Sequence, residues 1–172
     1  MPEHPGFDLR QIDGRSIVTL RVRPRGADAA EKALQLPQEA FHSQHGDPMV
    51  YRIGPDQWLL TSENKPVAEI LEHIEGALSG QLYAATNLSS GYACFAMSGP
   101  AARTVLAMGC GIDMHETAFT TGRCVRTRFA QVPLFIVATG NSDFDLYVDR
   151  SYANYLQDWL AAAGKDPITR AS

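Results

Sequence analysis

The sequence holds no apolar run approaching the roughly 20 residues that cross a bilayer, so no membrane-spanning helix is expected. It has no basic surplus. The formal net charge of -4 speaks against a general nucleic-acid binder. Cysteine is scarce: Cys94, Cys110 and Cys124 are odd in number, far apart and form no Cys-x-x-Cys pair. Residues 1–10 carry Pro, Glu, His and Asp and no apolar core of a secretory leader. Together these point to a reducing, cytoplasmic setting. The Asn87-Leu88-Ser89 triplet, although it matches a glycosylation acceptor, is then plain sequence. The common catalytic signatures are missing as well. There is no Gly-x-Gly-x-x-Gly, no Gly-x-x-x-x-Gly-Lys-Ser/Thr, no His-Glu-x-x-His and no Gly-x-Ser-x-Gly.

What the chain does contain is one module twice. Val50-Tyr51-Arg52-Ile53, a Gly54-Pro55-Asp56 turn and Trp58-Leu59-Leu60-Thr61 precede a helical pattern over 66–78. Leu134-Phe135-Ile136-Val137, a Gly140-Asn141-Ser142-Asp143 turn and Phe144-Asp145-Leu146-Tyr147-Val148 precede a second over 151–163. Each copy reads strand, turn, strand, helix, and the second lies about 85 residues after the first. The copying reaches further upstream: residues 14–34 and 91–108 both read as strand, Pro, short helix.

The remaining patterns fill in around this repeat. Residues 16–22 alternate as a strand, with Val18, Leu20 and Val22 on one face. Residues 28–34 predict a short helix, and 37–48 a loop with two histidines. Val67, Ile70, Leu71, Ile74 and Leu78 recur at helical spacing, as do Tyr152, Tyr155, Leu156, Trp159 and Leu160. Residues 124–130 and 133–139 predict strands joined by a tight turn. The expected fold is α+β: two pseudo-duplicated β-α-β-β-α halves with mixed or antiparallel sheets. Residues 1–14 are expected to be a loose arm and 164–172 a frayed tail. Residues 15–163 would form a single domain of two halves, about 15–80 and 81–163.

Few residues invite a chemical role. His42-x-x-His45 with Asp47 offers metal-ligand types, but a polar surface loop accounts for them and no metal site is assigned. His115 beside Asp113 and Glu116 has the makings of a carboxylate-held base, in a loop after a helix. On a strand over 124–128, Cys124, Arg126 and Arg128 share one face. Two guanidiniums would depress the thiol pKa, or form a docking surface for an acidic partner or anionic ligand, or simply be a solvated face. Arg21, Arg23 and Arg25 repeat the arginine spacing on the first strand of the other half, which favours an interface or solvated face. Tyr51, Trp58, Phe144 and Tyr147 read as packing rather than a stacking platform.

Four segments together resemble a known family. They are Arg52-Ile53-Gly54-Pro55-Asp56-Gln57-Trp58-Leu59-Leu60; Ser98-Gly99-Pro100-Ala101-Ala102-Arg103 continuing to Gly109-Cys110, Ile112-Asp113 and His115; Phe119 with Gly122-Arg123-Cys124 and Thr127-Arg128; and Tyr147-Val148 with Arg150-Ser151-Tyr152, Tyr155-Leu156 and Asp158-Trp159-Leu160. Over about residues 15–163 the chain is similar to the gamma subunits of heterotetrameric sarcosine oxidases. Their superfamily includes the folate-binding domain of the glycine-cleavage aminomethyltransferase, and its fold agrees with the duplicated halves.

The resemblance implies a structural subunit with no active site and no cofactor of its own. Alpha, beta and delta subunits would be its partners, and FAD, FMN, NAD and tetrahydrofolate would belong to them. Such a complex demethylates sarcosine to glycine, releasing peroxide and forming methylenetetrahydrofolate. The interface candidates are Cys124, Arg126, Arg128, Cys110 and His115. An uncovered interface would also give the isolated chain a route to self-association. Two alternatives stay open: a stand-alone folate-dependent one-carbon protein, and a gamma subunit of a related N-methyl amino acid dehydrogenase. For the first, Asp47 is the folate candidate. The aminomethyltransferases have paired aspartates at the corresponding place, where this chain reads Gly46-Asp47 and then Pro48.

Overall fold

The computed structural model describes residues 6–39, 42–44 and 46–165. Strand β1 (Asp8–Ile12) opens the described chain. Then come β2 (Ser16–Val22), α1 (Pro24–Ala33), the two-residue β3 (Ser43–Gln44), β4 (Met49–Gly54), β5 (Gln57–Ser62), α2 (Val67–Ala77) and β6 (Tyr83–Asn87). β7 (Tyr92–Ser98), α3 (Ala102–Gly109), β8 (Cys124–Phe129), β9 (Val132–Ala138) and β10 (Asp143–Asp149) follow. A 3-10 turn at Arg150–Tyr152 leads into α4 (Ala153–Ala163). The chain divides into two compact units. The N-terminal one is Gly14–Ser90, and the C-terminal one is Gly91–Ser172 together with Met1–Asp13.

The N-terminal unit is a five-stranded antiparallel sheet in the order β3-β4-β5-β2-β6. The alternation read in β2 is realised: Val18, Leu20 and Val22 enter one core with Val50, Trp58 and Leu60. Ile70, Ile74 and Leu78, spaced for one face of α2, close it. Each large apolar side chain removed from water in this way contributes about 1.5–3 kcal/mol. Trp58 is fully buried, and its indole N–H donates to the Pro37 carbonyl at 3.3 Å, so its polar atom is satisfied. Helix α1 starts at Pro24, four residues before the predicted helix. The fixed φ of proline suits a first turn and its missing N–H costs nothing there.

The C-terminal unit is also five antiparallel strands, in the order β1-β7-β10-β9-β8. Phe95, Met97, Leu134, Ile136, Phe144, Leu146 and Val148 face α3 and α4, which supply Val105, Leu106, Leu156 and Leu160. The hairpin between β8 and β9 turns on Ala130 and Gln131, both at positive φ (45° and 79°), as a two-residue turn matching strand twist requires. Tyr51, Trp58, Phe144 and Tyr147 are all buried.

Two expectations are corrected. The segment expected to be a loose arm carries β1, which pairs with β7 from Asp8 against Ser98 to Ile12 against Cys94. Phe7 beside it is buried in the C-terminal core. Glycine is required at position 99 for this docking: its φ is 123°, and a Cβ would lie 2.8 Å from the Gly6 carbonyl oxygen and from Phe7 Cα. The boundary between the halves falls at Ser90/Gly91 rather than near residue 80, because β6 pairs with β2. Of the predicted arm and tail, residues 1–5 and 166–172 lie outside the described residues. Among the described residues, no helix is long and apolar enough to cross a membrane.

Candidate functional site

Asp47 lies in the segment between β3 and β4, and the N-terminus of α2 organises its surroundings. The Ser62 hydroxyl, at the end of β5, donates to Asp47 Oδ1. Asn64 Nδ2 donates to Oδ2 at 3.2 Å. The same Ser62 oxygen accepts the backbone N–H groups of Asn64 (3.1 Å) and Lys65 (2.8 Å). The Ser62 hydrogen bond, then Asn64 and the Lys65 charge, hold the Asp47 carboxyl below its ordinary value against a smaller opposing effect of burial. Asp47 lines a cleft of about 300 Å³ with an apolar floor of Leu34, Val50 and Leu60 and with His73 at its wall. Both carboxylate oxygens are already engaged by this chain, so the arrangement ties the β4 entry to the α2 entry. His42 pairs with Glu39 at 3.3 Å, while His45 lies outside the described residues.

In the C-terminal unit the structure separates residues that the sequence placed on one face. Cys124 is fully buried, whereas Arg126 and Arg128 are exposed. Burial pushes the Cys124 thiol up to about 12, outweighing the opposing charge of Arg123. The reading of Cys124 as a thiol activated by neighbouring arginines is therefore corrected, because alternation fixes a face but not which end of the strand is covered. Arg128 donates to Gln131 Oε1 at 2.6 Å. Arg126 has no hydrogen-bond or ion-pair partner among the described residues.

Cys110 closes α3, donating its S–H to the Leu106 carbonyl at 3.3 Å, and burial raises its thiol too. The Ala130 N–H donates to Gly109 O at 2.8 Å, so Cys110 follows a residue tied to the far end of β8. His115 is exposed. Its ring Nδ1 meets Thr117 Oγ1 at 2.8 Å, while Asp113 accepts the His115 backbone N–H at 2.9 Å. The nearby carboxylate thus shapes a turn and does not orient the ring, which removes the geometric basis for a carboxylate-held base.

One residue organises this loop without having been singled out for it. Arg103 of α3 donates to the carbonyls of Asn141 (2.6 Å), Met114 (2.6 Å) and Phe119 (3.1 Å) and stacks 5.2 Å from the Phe144 ring centroid. A guanidinium with three carbonyl partners is a fork-shaped staple that lysine cannot reproduce. Only its place in the quoted Ser98–Arg103 segment marked it.

Residues 43–170 match the GCVT N-terminal domain family. The sarcosine oxidase subunit gamma of Corynebacterium sp. (strain U-96) is 30% identical over 162 residues, covering 90% of this chain and 78% of that protein. The subunit of the same name from Arthrobacter sp. is 29% identical with the same coverage. A chain of the heterotetrameric sarcosine oxidase from Corynebacterium sp. U-96, solved with pyrrole 2-carboxylate, superposes with a TM-score of 0.86 at 25% identity, over 99% of this chain and 89% of that one. The glycine cleavage aminomethyltransferase T from Bartonella henselae shares the fold at a TM-score of 0.66 and 16% identity, over 91% of this chain and 46% of that one. Sequence and fold agree, and the chain belongs to the sarcosine oxidase subunit gamma family, within the GCVT N-terminal domain group.

Proposed function

We propose that this protein is the gamma subunit of a heterotetrameric sarcosine oxidase and acts in assembly rather than in catalysis. The supporting observation is the likeness to a chain of such an oxidase across 99% of this chain, at a TM-score of 0.86. Alpha, beta and delta subunits would then be its partners, holding FAD, FMN, NAD and tetrahydrofolate and carrying out the oxidative demethylation of sarcosine. The geometry fits an assembly role: the buried thiol of Cys124 and the turn-forming Asp113 leave neither a nucleophile nor an oriented base at these positions. The exposed Arg126 and Arg128, with Cys110 and His115 in the loop before β8, are the surface candidates for meeting a partner.

A tagged full-length chain recovered from its native cell tests this. Flavin-bearing partners that elute with it and release peroxide on sarcosine addition are the expected result. Recovery of flavoproteins that reduce a dye but release no peroxide would move the assignment to a related N-methyl amino acid dehydrogenase. A colourless chain recovered alone would overturn the subunit reading.

The alternative of a stand-alone folate protein has one observation in its favour, the cleft lined by Asp47. Titration with tetrahydrofolate, with Asp47→Ala as control, separates it from the first reading. Saturable binding lost in the variant supports it, and no binding at millimolar ligand removes it.

A further inference from the structure

Strand β8 is an outer edge of the C-terminal sheet, paired only with β9 in the strand order. Its counterpart in the N-terminal sheet, β3, has two residues among the described ones, where β8 has six. An edge of that length presents a row of main-chain donors and acceptors ready for another strand.

The register says which groups point outward. Arg128 lies opposite Pro133, which has no N–H to give, so this is a pair without mutual hydrogen bonds. Alternation then aims the N–H and C=O groups of Arg126 and Arg128 away from β9 and into the open; those of Cys124 point the same way, but Cys124 is fully buried. The two outward positions with exposed side chains are both arginines on one face, and neither meets a carboxylate among the described residues.

Such an edge discriminates between occupants. A second copy of β8 would set arginine against arginine, and like charges directly opposite are destabilising. An incoming strand with carboxylates at alternate residues would place one opposite each guanidinium, whose fork donates two parallel hydrogen bonds to a carboxylate. We propose that the outer edge of β8 receives an extended acidic segment of a partner subunit, with acidic residues two apart seated on Arg126 and Arg128. This rests on the subunit reading above. The competing explanation is that the arginines only block the edge against aggregation.

The test uses the full-length chain and two blocked peptides, Thr-Glu-Val-Glu-Val-Thr and Thr-Lys-Val-Lys-Val-Thr, followed by residue-resolved amide hydrogen exchange. The Glu peptide is expected to slow exchange at Arg126 and Arg128 roughly tenfold at ten times its Kd, and the Lys peptide to do nothing. In the double variant Arg126→Glu/Arg128→Glu the preference should invert. That variant changes only exposed side chains, and inverted binding would itself show that the edge is folded. No slowing at these amides, slowing elsewhere, or equal slowing in the double variant would each overturn the proposal and leave edge blocking as the role.

A second arm separates this proposal from the subunit reading. In the recovered native complex the same two amides should exchange more slowly than in the isolated chain. Flavin-bearing partners recovered without that protection would defeat the edge proposal alone. No partner recovered with the wild-type chain would defeat the subunit reading, and the edge proposal with it.

Discussion

In the N-terminal unit the strand beside β2 is β6, delivered by the chain directly after α2. In the C-terminal unit the same place beside β7 is held by β1, which comes from ahead of the whole N-terminal unit. The inner order is otherwise the same: β4-β5-β2 in one sheet, β9-β10-β7 in the other. Among the described residues the opposite edges differ too, a two-residue β3 against a six-residue β8. Two repeats of one motif thus keep their centres and diverge at their edges. The centre is fixed by residues buried against helices, while an edge needs only one neighbour and tolerates exchange. The consequence is that the N-terminal sheet is continuous in sequence and the C-terminal sheet is not. Its fifth strand is separated in sequence from the strand it pairs with by the whole N-terminal unit, a non-local pairing that is slow to form.

The two tryptophans make this comparison measurable. Trp58 sits in the N-terminal core, and Trp159 packs edge-on against Phe129 in the C-terminal unit, ring centroids 4.8 Å apart. Single-tryptophan variants therefore report each unit's unfolding in urea. The largest effect is expected from Phe7→Ala, which empties the anchor of β1 and should cost about 3–5 kcal/mol. The loss should be larger on the Trp159 reporter than on Trp58, although residue 7 is adjacent in sequence to the N-terminal unit. Gly99→Ala should act on the same reporter by about 3 kcal/mol, through the positive φ and the clash with Gly6 and Phe7. Equal shifts on both reporters would mean one cooperative structure and would break the distinction between a continuous and a discontinuous unit.

The centre of each sheet was legible in the sequence, and the edges were not. Val18, Leu20 and Val22 alternate in β2, and Ile70, Ile74 and Leu78 recur in α2, because burial on one side writes a period into the sequence. β1, with Asp8, Arg10 and Gln11 exposed, and β6, with Ala84, Thr86 and Asn87 exposed, bury too little to leave such a period. Neither therefore stands out in the sequence. The candidate site divides the same way. That Cys124, Arg126 and Arg128 share a face follows from strand geometry. That the thiol is buried and the guanidiniums are not depends on tertiary cover, which no local pattern records.

A smaller effect is expected in the N-terminal unit at its strand-to-helix joint. Ser62→Ala removes a buried hydroxyl that serves Asp47 and two backbone N–H groups, and should cost about 1 kcal/mol on the Trp58 reporter. Its pH dependence has a definite sign. The folded state lowers the Asp47 pKa, so the stabilisation from its charged form is complete above the ordinary value of 3.8. It is lost as pH falls below that value through the lower folded one. Asp47→Asn should therefore be less stable than wild type at neutral pH, with the gap closing in acid. A gap that persisted unchanged below the folded value would show that the charge is not what matters at this joint.

A gain of about 0.5–1 kcal/mol is expected at the β8–β9 turn from Ala130→Asn, since asparagine tolerates positive φ better than alanine. The Tyr155 hydroxyl donates to the Ala130 carbonyl at 2.5 Å, a contact with the main chain that the substitution leaves in place. The gain should appear on Trp159, which packs against the last residue of β8. An unchanged midpoint would mean that the α4 contact, and not the local backbone, sets the turn.

The finest contrast lies within the C-terminal unit and should leave stability untouched. Cys110 is half-buried at the end of α3, and Cys124 is sealed at the start of β8 with its thiol pushed up to about 12. At pH 8 the Cys124 thiolate is then about one part in ten thousand, and the nucleophile in alkylation is the thiolate. Iodoacetamide should modify Cys110 first and reach Cys124 only when urea opens the unit, with the same midpoint as the Trp159 signal. Native labelling of Cys124 at a rate matching Cys110 would mean that the start of β8 opens locally while the rest of the sheet holds. The long edge of this unit would then be dynamic along its whole length and not only exposed at its arginine end.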